Sequence, residues 1–167
     1  KKQEATYRKI YSNFNTSTAK EVKKVEQRTN HDVKAVEYYI RSKINKSIHP
    51  WVNFALTSED VNNLSYTLMW RDALKKVYIP QLTQVLKDLK TLSNKYANTA
   101  MLSMTHGQPA TPTTFGKEIR VFVNRIERQI NGIDKHKFLG KFGGATGTWS
   151  AHMVAYPKMN WLRFAKK

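Results

Sequence analysis

The chain has 167 residues, with 29 Lys and Arg against 12 Asp and Glu, a formal net charge of +17, and no cysteine. The missing thiols exclude disulfides, thiolate nucleophiles and cysteine-type zinc sites, and fit a reducing cytoplasm, where the chain is expected. No apolar run approaches the ~20 residues of a bilayer helix and no signal-peptide pattern opens the sequence, so a membrane is not an expected partner.

In chain order, residues 4 to 13 predict a short helix. Ser17 or Thr18 caps a second, in which Ala19, Val22 and Val25 form a narrow apolar stripe beside lysines. Val33, Val36, Ile40 and Ile44 recur at three- and four-residue steps, predicting an amphipathic helix over 32–46. The turn Thr29, Asn30, His31, Asp32 therefore lies at a helix start, where unpaired backbone N–H groups favour anions. Residues 47–56 read as a connection interrupted by Pro50. Thr57 followed by Asp60 resembles a capping box, with Asp in place of the usual Glu. From there to residue 97 apolar residues keep a helical period, with Pro80 expected to kink one long rod or separate two. Pro109 and Pro112 forbid a regular helix in MLSMTHGQPATPTTFGKE (101–118), so His106 is expected on a fixed irregular loop. Thr113 or Thr114 then caps a second rod over about 114–136, whose buried face carries Phe115, Ile119, Phe122, Ile126, Ile130 and Ile133. Residues 139–148 hold four of the seven glycines, and residues 149–157 regain a helical turn. No segment shows a strand period, and the fold class is read as all-α.

Four polar clusters stand at element boundaries: residues 29–32; Thr57, Ser58, Glu59 and Asp60 with Asn62 and Asn63; Thr105, His106 and Gln108; and the glycine-rich 140–148. Taken singly, each has a plain structural reading, with Asp32 and Ser58 as helix caps, the asparagines solvated and the glycines as an ordinary turn.

Together the segments TNHDVKAVEYYI, TSEDVNNLSYTL, THGQPATPTTFGKEI and LGKFGGATGTWSAHMVAYP resemble, in the same order, the adenylosuccinate lyases of the fumarase and aspartase superfamily, the bacterial type in particular. The resemblance covers residues 8 to 161. The Thr-Ser-x-Asp and Thr-His motifs are shared across the superfamily, and Asn-His-Asp followed by VKAVEY is the more discriminating string. It implies a long-helix bundle, incomplete in this chain, with residues 1–56 ending an N-terminal helical domain and 57–167 beginning the central bundle. It also implies a homotetramer with active sites shared among subunits, and a purine nucleotide substrate. The implied reaction is β-elimination of fumarate, from adenylosuccinate to give AMP and from the succinylated carboxamide intermediate of purine synthesis.

That chemistry needs a base for a carbon-bound proton, donors for the adjacent carboxylate and an acid for the leaving nitrogen. By resemblance His106 supplies the acid and His31 orients the substrate or assists the acid from the phosphate side. Asn30 lies in the same substrate-binding string, with Asp32 on the sugar or base edge. Thr57 and Ser58 hold a carboxylate, and Thr105 and Gln108 fix the succinyl part. Lys141 and the loop around Gly147 lie nearby. No cofactor is required. His31, His49, His106, His136 and His152 show no metal-site spacing.

The chain departs from the family in length, in lacking the flexible loop that carries the base, the Arg-Tyr segment and the C-terminal domain, and in Met104, where an arginine often precedes Thr-His. A fragment inactive by itself is therefore expected. The rivals are another fumarate-releasing enzyme such as argininosuccinate lyase, and a basic helical module for nucleic acid. The latter rests on the +17 charge alone and has no groove-reading motif, so nucleic acid is not the expected partner.

Overall fold

A computed structural model describes residues 2–166. It is helical, with one two-stranded hairpin among the described residues, in the order α1 (Lys2–Ser12), α2 (Thr16–Thr29), α3 (Asp32–Ser42), a 3-10 turn (Lys46–Trp51), α4 (Ser58–Ala73), a π turn (Leu74–Tyr78), α5 (Ile79–Lys95), β1 (Ala100–Thr105), β2 (Gln108–Thr114), α6 (Phe115–Asp134), α7 (Ser150–Ala155) and α8 (Trp161–Ala165). The helical class read from the sequence holds. Contacts divide the chain into two units, Lys1–Ser65 with Gly140–Lys167, and Tyr66–Leu139.

In the first unit α2 packs on α3. Asn15, not Ser17 or Thr18, caps α2, its side chain accepting the Thr18 N–H at 3.0 Å. Val33 and Ala35 are buried, and so is Glu37, which pairs with Lys34 (2.7 Å) and Arg41 (2.6 Å) and accepts the Asn53 amide at 3.1 Å. A carboxylate so enclosed stays charged because each oxygen has a donor. Burial alone would raise its pKa, but Lys34, Asn53 and Arg41 outweigh that and hold it below the ordinary glutamate value. Residues after 140 join the unit through aromatic packing. Trp51, Phe54 and Tyr156 have ring centroids 5.3 to 6.2 Å apart, while Phe142 and Trp161 stand edge-on to His152 at 5.1 and 4.8 Å. α8, unexpected after Pro157, starts at Asn160, whose side chain accepts the Arg163 N–H at 2.8 Å.

In the second unit α5 packs on α6, burying Leu86 and Val123. The break expected at Pro80 is a π turn just before it, widening the helix where proline offers no N–H and crowds the preceding turn. The loop expected around His106 is instead the antiparallel hairpin β1–β2, with Ala100 opposite Thr114 and Thr105 opposite Gln108. A two-stranded ribbon has a free edge on each strand, so Pro109 and Pro112 fit without leaving a ladder bond unmade. His106 and Gly107 form its two-residue turn with φ of +48° and +74°, the pairing of positive φ that suits a tight hairpin. Thr114 caps α6, as expected, accepting the Lys117 N–H at 3.3 Å.

Candidate functional site

Within the first unit the starts of α3 and α4 meet. His31 is the residue that precedes α3, and its Nδ1 accepts the Lys34 N–H at 3.3 Å. A neutral imidazole has one donor and one acceptor nitrogen, so with Nδ1 accepting, the proton sits on Nε2. Nε2 lies 3.3 Å from Ser58 Oγ, in the first turn of α4. The ring therefore donates to the Ser58 hydroxyl, leaving that hydroxyl's proton free to donate outward. The starts of both helices lie here, and the positive ends of their dipoles favour negative charge, although in α3 the Val33 and Lys34 N–H groups are already taken by Asp32 and His31.

Asp32 ties the two starts a second time. Its Oδ1 accepts the Val33 N–H at 2.7 Å and lies 3.2 Å from His31 Nδ1, and its Oδ2 accepts the Asn62 amide at 3.2 Å. The Val33 N–H above all, then the Asn62 amide, hold the Asp32 carboxyl below the usual aspartate range despite some desolvation. Asn30 closes α2 in a left-handed conformation (φ +48°), its N–H bonded to Glu26 O at 2.8 Å, while Thr29 Oγ1 donates to His31 O at 3.0 Å. The chain thus reverses tightly just before His31, which fixes where the ring starts.

A different face of α4 carries the glycine-rich loop. Asp60 is 2% exposed, and its two oxygens accept the N–H groups of Thr57 (3.0 Å), Gly143 (2.9 Å) and Gly144 (3.0 Å), with Lys141 Nζ at 2.9 Å. Burial pushes the Asp60 carboxyl up, but the Thr57, Lys141 and Gly143 donors more than offset it and hold it below its ordinary value. Asn63 pairs with the Lys141 backbone in both directions, at 2.7 and 2.9 Å. Lys141, one of the basic residues with no acidic neighbour in sequence after Asp134, finds its counter-charge in Asp60.

Of the residues expected at a site, Asn30, His31, Asp32, Thr57 and Ser58 fall in the first unit, and His31, Asp32 and Ser58 are in direct contact or one bond apart. Thr105, His106 and Gln108 fall in the second unit, all exposed, at the hairpin tip. None of the described residues hydrogen-bonds to the His106 ring. Asp60, expected as half of a capping box, and Asn62 and Asn63, expected to be solvated, tie distant segments together. A usable signal was present, since Ser58 and Asn62 are four apart and Asp60 and Asn63 three apart, which puts each pair on one face of a helix. Among the described residues no group of three His, Cys, Asp or Glu could hold a metal ion.

A family profile described simply as lyase matches residues 1–166. The chain belongs to the lyase family. This lyase is 45% identical over 163 residues to the adenylosuccinate lyase of Buchnera aphidicola subsp. Schizaphis graminum, covering 95% of this chain and 36% of that protein. It is 44% identical over 168 residues to the adenylosuccinate lyase of Dictyostelium discoideum, covering 96% of this chain and 36% of that protein. The chain therefore spans about a third of the length of the curated relatives it matches. In fold it is similar to a fumarate lyase from Mesorhizobium sp. BNC1, with a TM-score of 0.74 at 19% identity over 88% of this chain and 35% of that one.

Proposed function

We propose that the protein is an adenylosuccinate lyase, a carbon–nitrogen lyase that eliminates fumarate from adenylosuccinate and from the succinylated carboxamide intermediate of purine synthesis. The observation that carries this reading is the junction of α3 and α4, where a tautomer-fixed imidazole donates to an outward-facing serine hydroxyl between two helix starts. The arrangement presents hydroxyl and backbone donors to an anion, as a substrate bearing phosphate and carboxylates requires. The 45% identity to a named adenylosuccinate lyase supports the same substrate.

The roles follow from the chemistry. Thr57 and Ser58 hold a carboxylate equally in the substrate and as the carbon-bound proton leaves, so their donors set KM more than kcat. His31 holds Ser58 in register and contacts the phosphate side, with Asn30 beside it and Asp32 on the sugar or base edge. His106 protonates the departing nitrogen, and Thr105 and Gln108 fix the succinyl part. These 167 residues are inactive alone. In the complete protein, residues 1–56 close an N-terminal domain and 57–167 open a central bundle.

The complete protein works in the cytoplasm as a homotetramer with active sites shared among subunits. Support for an assembly comes from the second unit, where an apolar groove of about 970 Å³ is lined by Trp70, Leu74, Val77, Tyr78 and Ile133, with Trp70 63% exposed. Such a surface is larger than isolated apolar residues need and suits another helix.

The test compares adenylosuccinate cleavage, followed by ultraviolet absorbance, in the complete protein and its His106→Ala variant. Turnover is expected to fall by at least about a hundredfold, the low end for removing a general acid. A near-normal rate in the variant removes His106 from the mechanism.

A further inference from the structure

We propose that Asp60 is a positioning residue for the anion-binding hydroxyl of Ser58, acting through the backbone of Thr57; the proposal rests on the functional reading above. Asp60 Oδ2 takes two backbone N–H groups at once, from Thr57 and from Gly144, each at 3.0 Å. The two backbone nitrogens therefore lie within two hydrogen-bond lengths of each other, and the glycine-rich loop abuts the residue just before Ser58. Asp60 Oδ1 is filled by the Gly143 N–H and Lys141 Nζ, both at 2.9 Å. Lys141 Nζ also donates to Gly144 O at 2.7 Å.

The carboxylate is thus anchored on one side to a buried loop and on the other to the chain entering α4. That anchoring makes it more than a helix cap. An exposed cap swings with its helix end, whereas Asp60 is 2% exposed and has every donor fixed. The entry of the chain into α4 is set by the Thr57 N–H, and Ser58, next in sequence, inherits its direction. Ser58 Oγ then meets His31 Nε2 at 3.3 Å, a contact spanning 27 residues. A shift of the Thr57 backbone moves the hydroxyl off the ring and off an incoming carboxylate together. Lys141 Nζ gives two of its N–H groups to Asp60 and Gly144 O while its side chain stays 40% exposed, and Ser58 is the hydroxyl donor beside His31.

Asp60→Asn keeps the shape and removes the charge and one acceptor oxygen. In complete protein that is folded, KM for adenylosuccinate is expected to rise about tenfold with kcat changed less than about threefold, the size of one weakened hydrogen bond to a charged group. KM does not depend on how much protein is folded, so loss of stability alone does not move it. Nitrogen NMR of His31 supplies a second readout. Wild type and Asp60→Asn should both show the Nε2–H tautomer, which the Lys34 N–H sets, and the Nε2 resonance should shift in Asp60→Asn as Ser58 Oγ leaves the ring.

An unchanged KM with an unchanged His31 signature overturns the proposal. If Asp60→Asn does not fold, Asn63→Ala decides, because it frees the loop at Lys141 but leaves Asp60 on Thr57. KM and the His31 signature should then stay as in the wild type, and a tenfold rise in KM overturns the route through Thr57. Wild-type protein that neither binds nor cleaves adenylosuccinate refutes the functional reading instead, and the His31 signature still reports on Asp60.

Discussion

At the scale of single residues, the first unit keeps its charges where hydrogen bonds define them. His31 serves as the cap of α3 and thereby commits its other nitrogen to Ser58. Asp60 gives a sharper consequence, because its carboxyl is held below the ordinary aspartate value in the folded state. An unfolded aspartate titrates near ~3.9, so between the two values the unfolded chain binds more protons and stability rises with pH. The contribution of Asp60 is therefore complete above about pH 5 and declines as the pH falls through its lower folded value. Urea unfolding at a series of pH values should show wild type exceeding Asp60→Asn by about 2 to 3 kcal/mol at pH 7, the range for hydrogen bonds to a charged group, with the gap closing below about pH 4. A gap that is constant across that range assigns the effect to packing rather than charge.

At the scale of elements, the joint between α5 and α6 depends on Gly116. A Cβ there would stand 2.3 Å from Ser93 O and 2.7 Å from Ala97 Cα, both backbone atoms that cannot swing aside. Ser93 Oγ donates to Gly116 O at 2.8 Å across the same contact. Gly116→Ala should cost about 1 to 3 kcal/mol, as overpacking does. Gly132, in the same helix with nothing within 4 Å of its Cβ position, should gain about 0.5 to 1 kcal/mol on change to Ala, because only helix propensity is at stake. Thermal unfolding of the two variants checks both signs, and equal signs refute the packing account.

The same elements indicate what could be read beforehand. The period of α6 was legible because Ile119, Ile126 and Ile133 face one way, and Thr114 marked its start. The hairpin was not legible, because Pro109 and Pro112 argue against strands in general and a two-stranded ribbon is the case that tolerates them. The His-Gly pair at its turn was the overlooked signal, since both residues adopt positive φ more readily than most. The four polar clusters were seen as sequence motifs. That Asp60 and Asn63 take up the glycine-rich loop, about 80 residues later in the chain, depends on tertiary packing that no local pattern encodes.

At the scale of the whole molecule, the lyase family rests on a match across nearly the entire chain, and the proposed substrate rests on the junction of α3 and α4 together with the likeness to named adenylosuccinate lyases. Large apolar side chains such as Leu68, Met69, Val85 and Phe122 remain exposed in the second unit, as expected of helices that seat against further helices. The most direct test of the central claim is fumarate release by the complete protein, with adenylosuccinate and argininosuccinate offered in turn. The account predicts turnover of adenylosuccinate with a kcat/KM at least about a hundredfold above that for argininosuccinate, because donors built for one anionic substrate are left unpaired by the other. Turnover of argininosuccinate alone, or of neither, would contradict it.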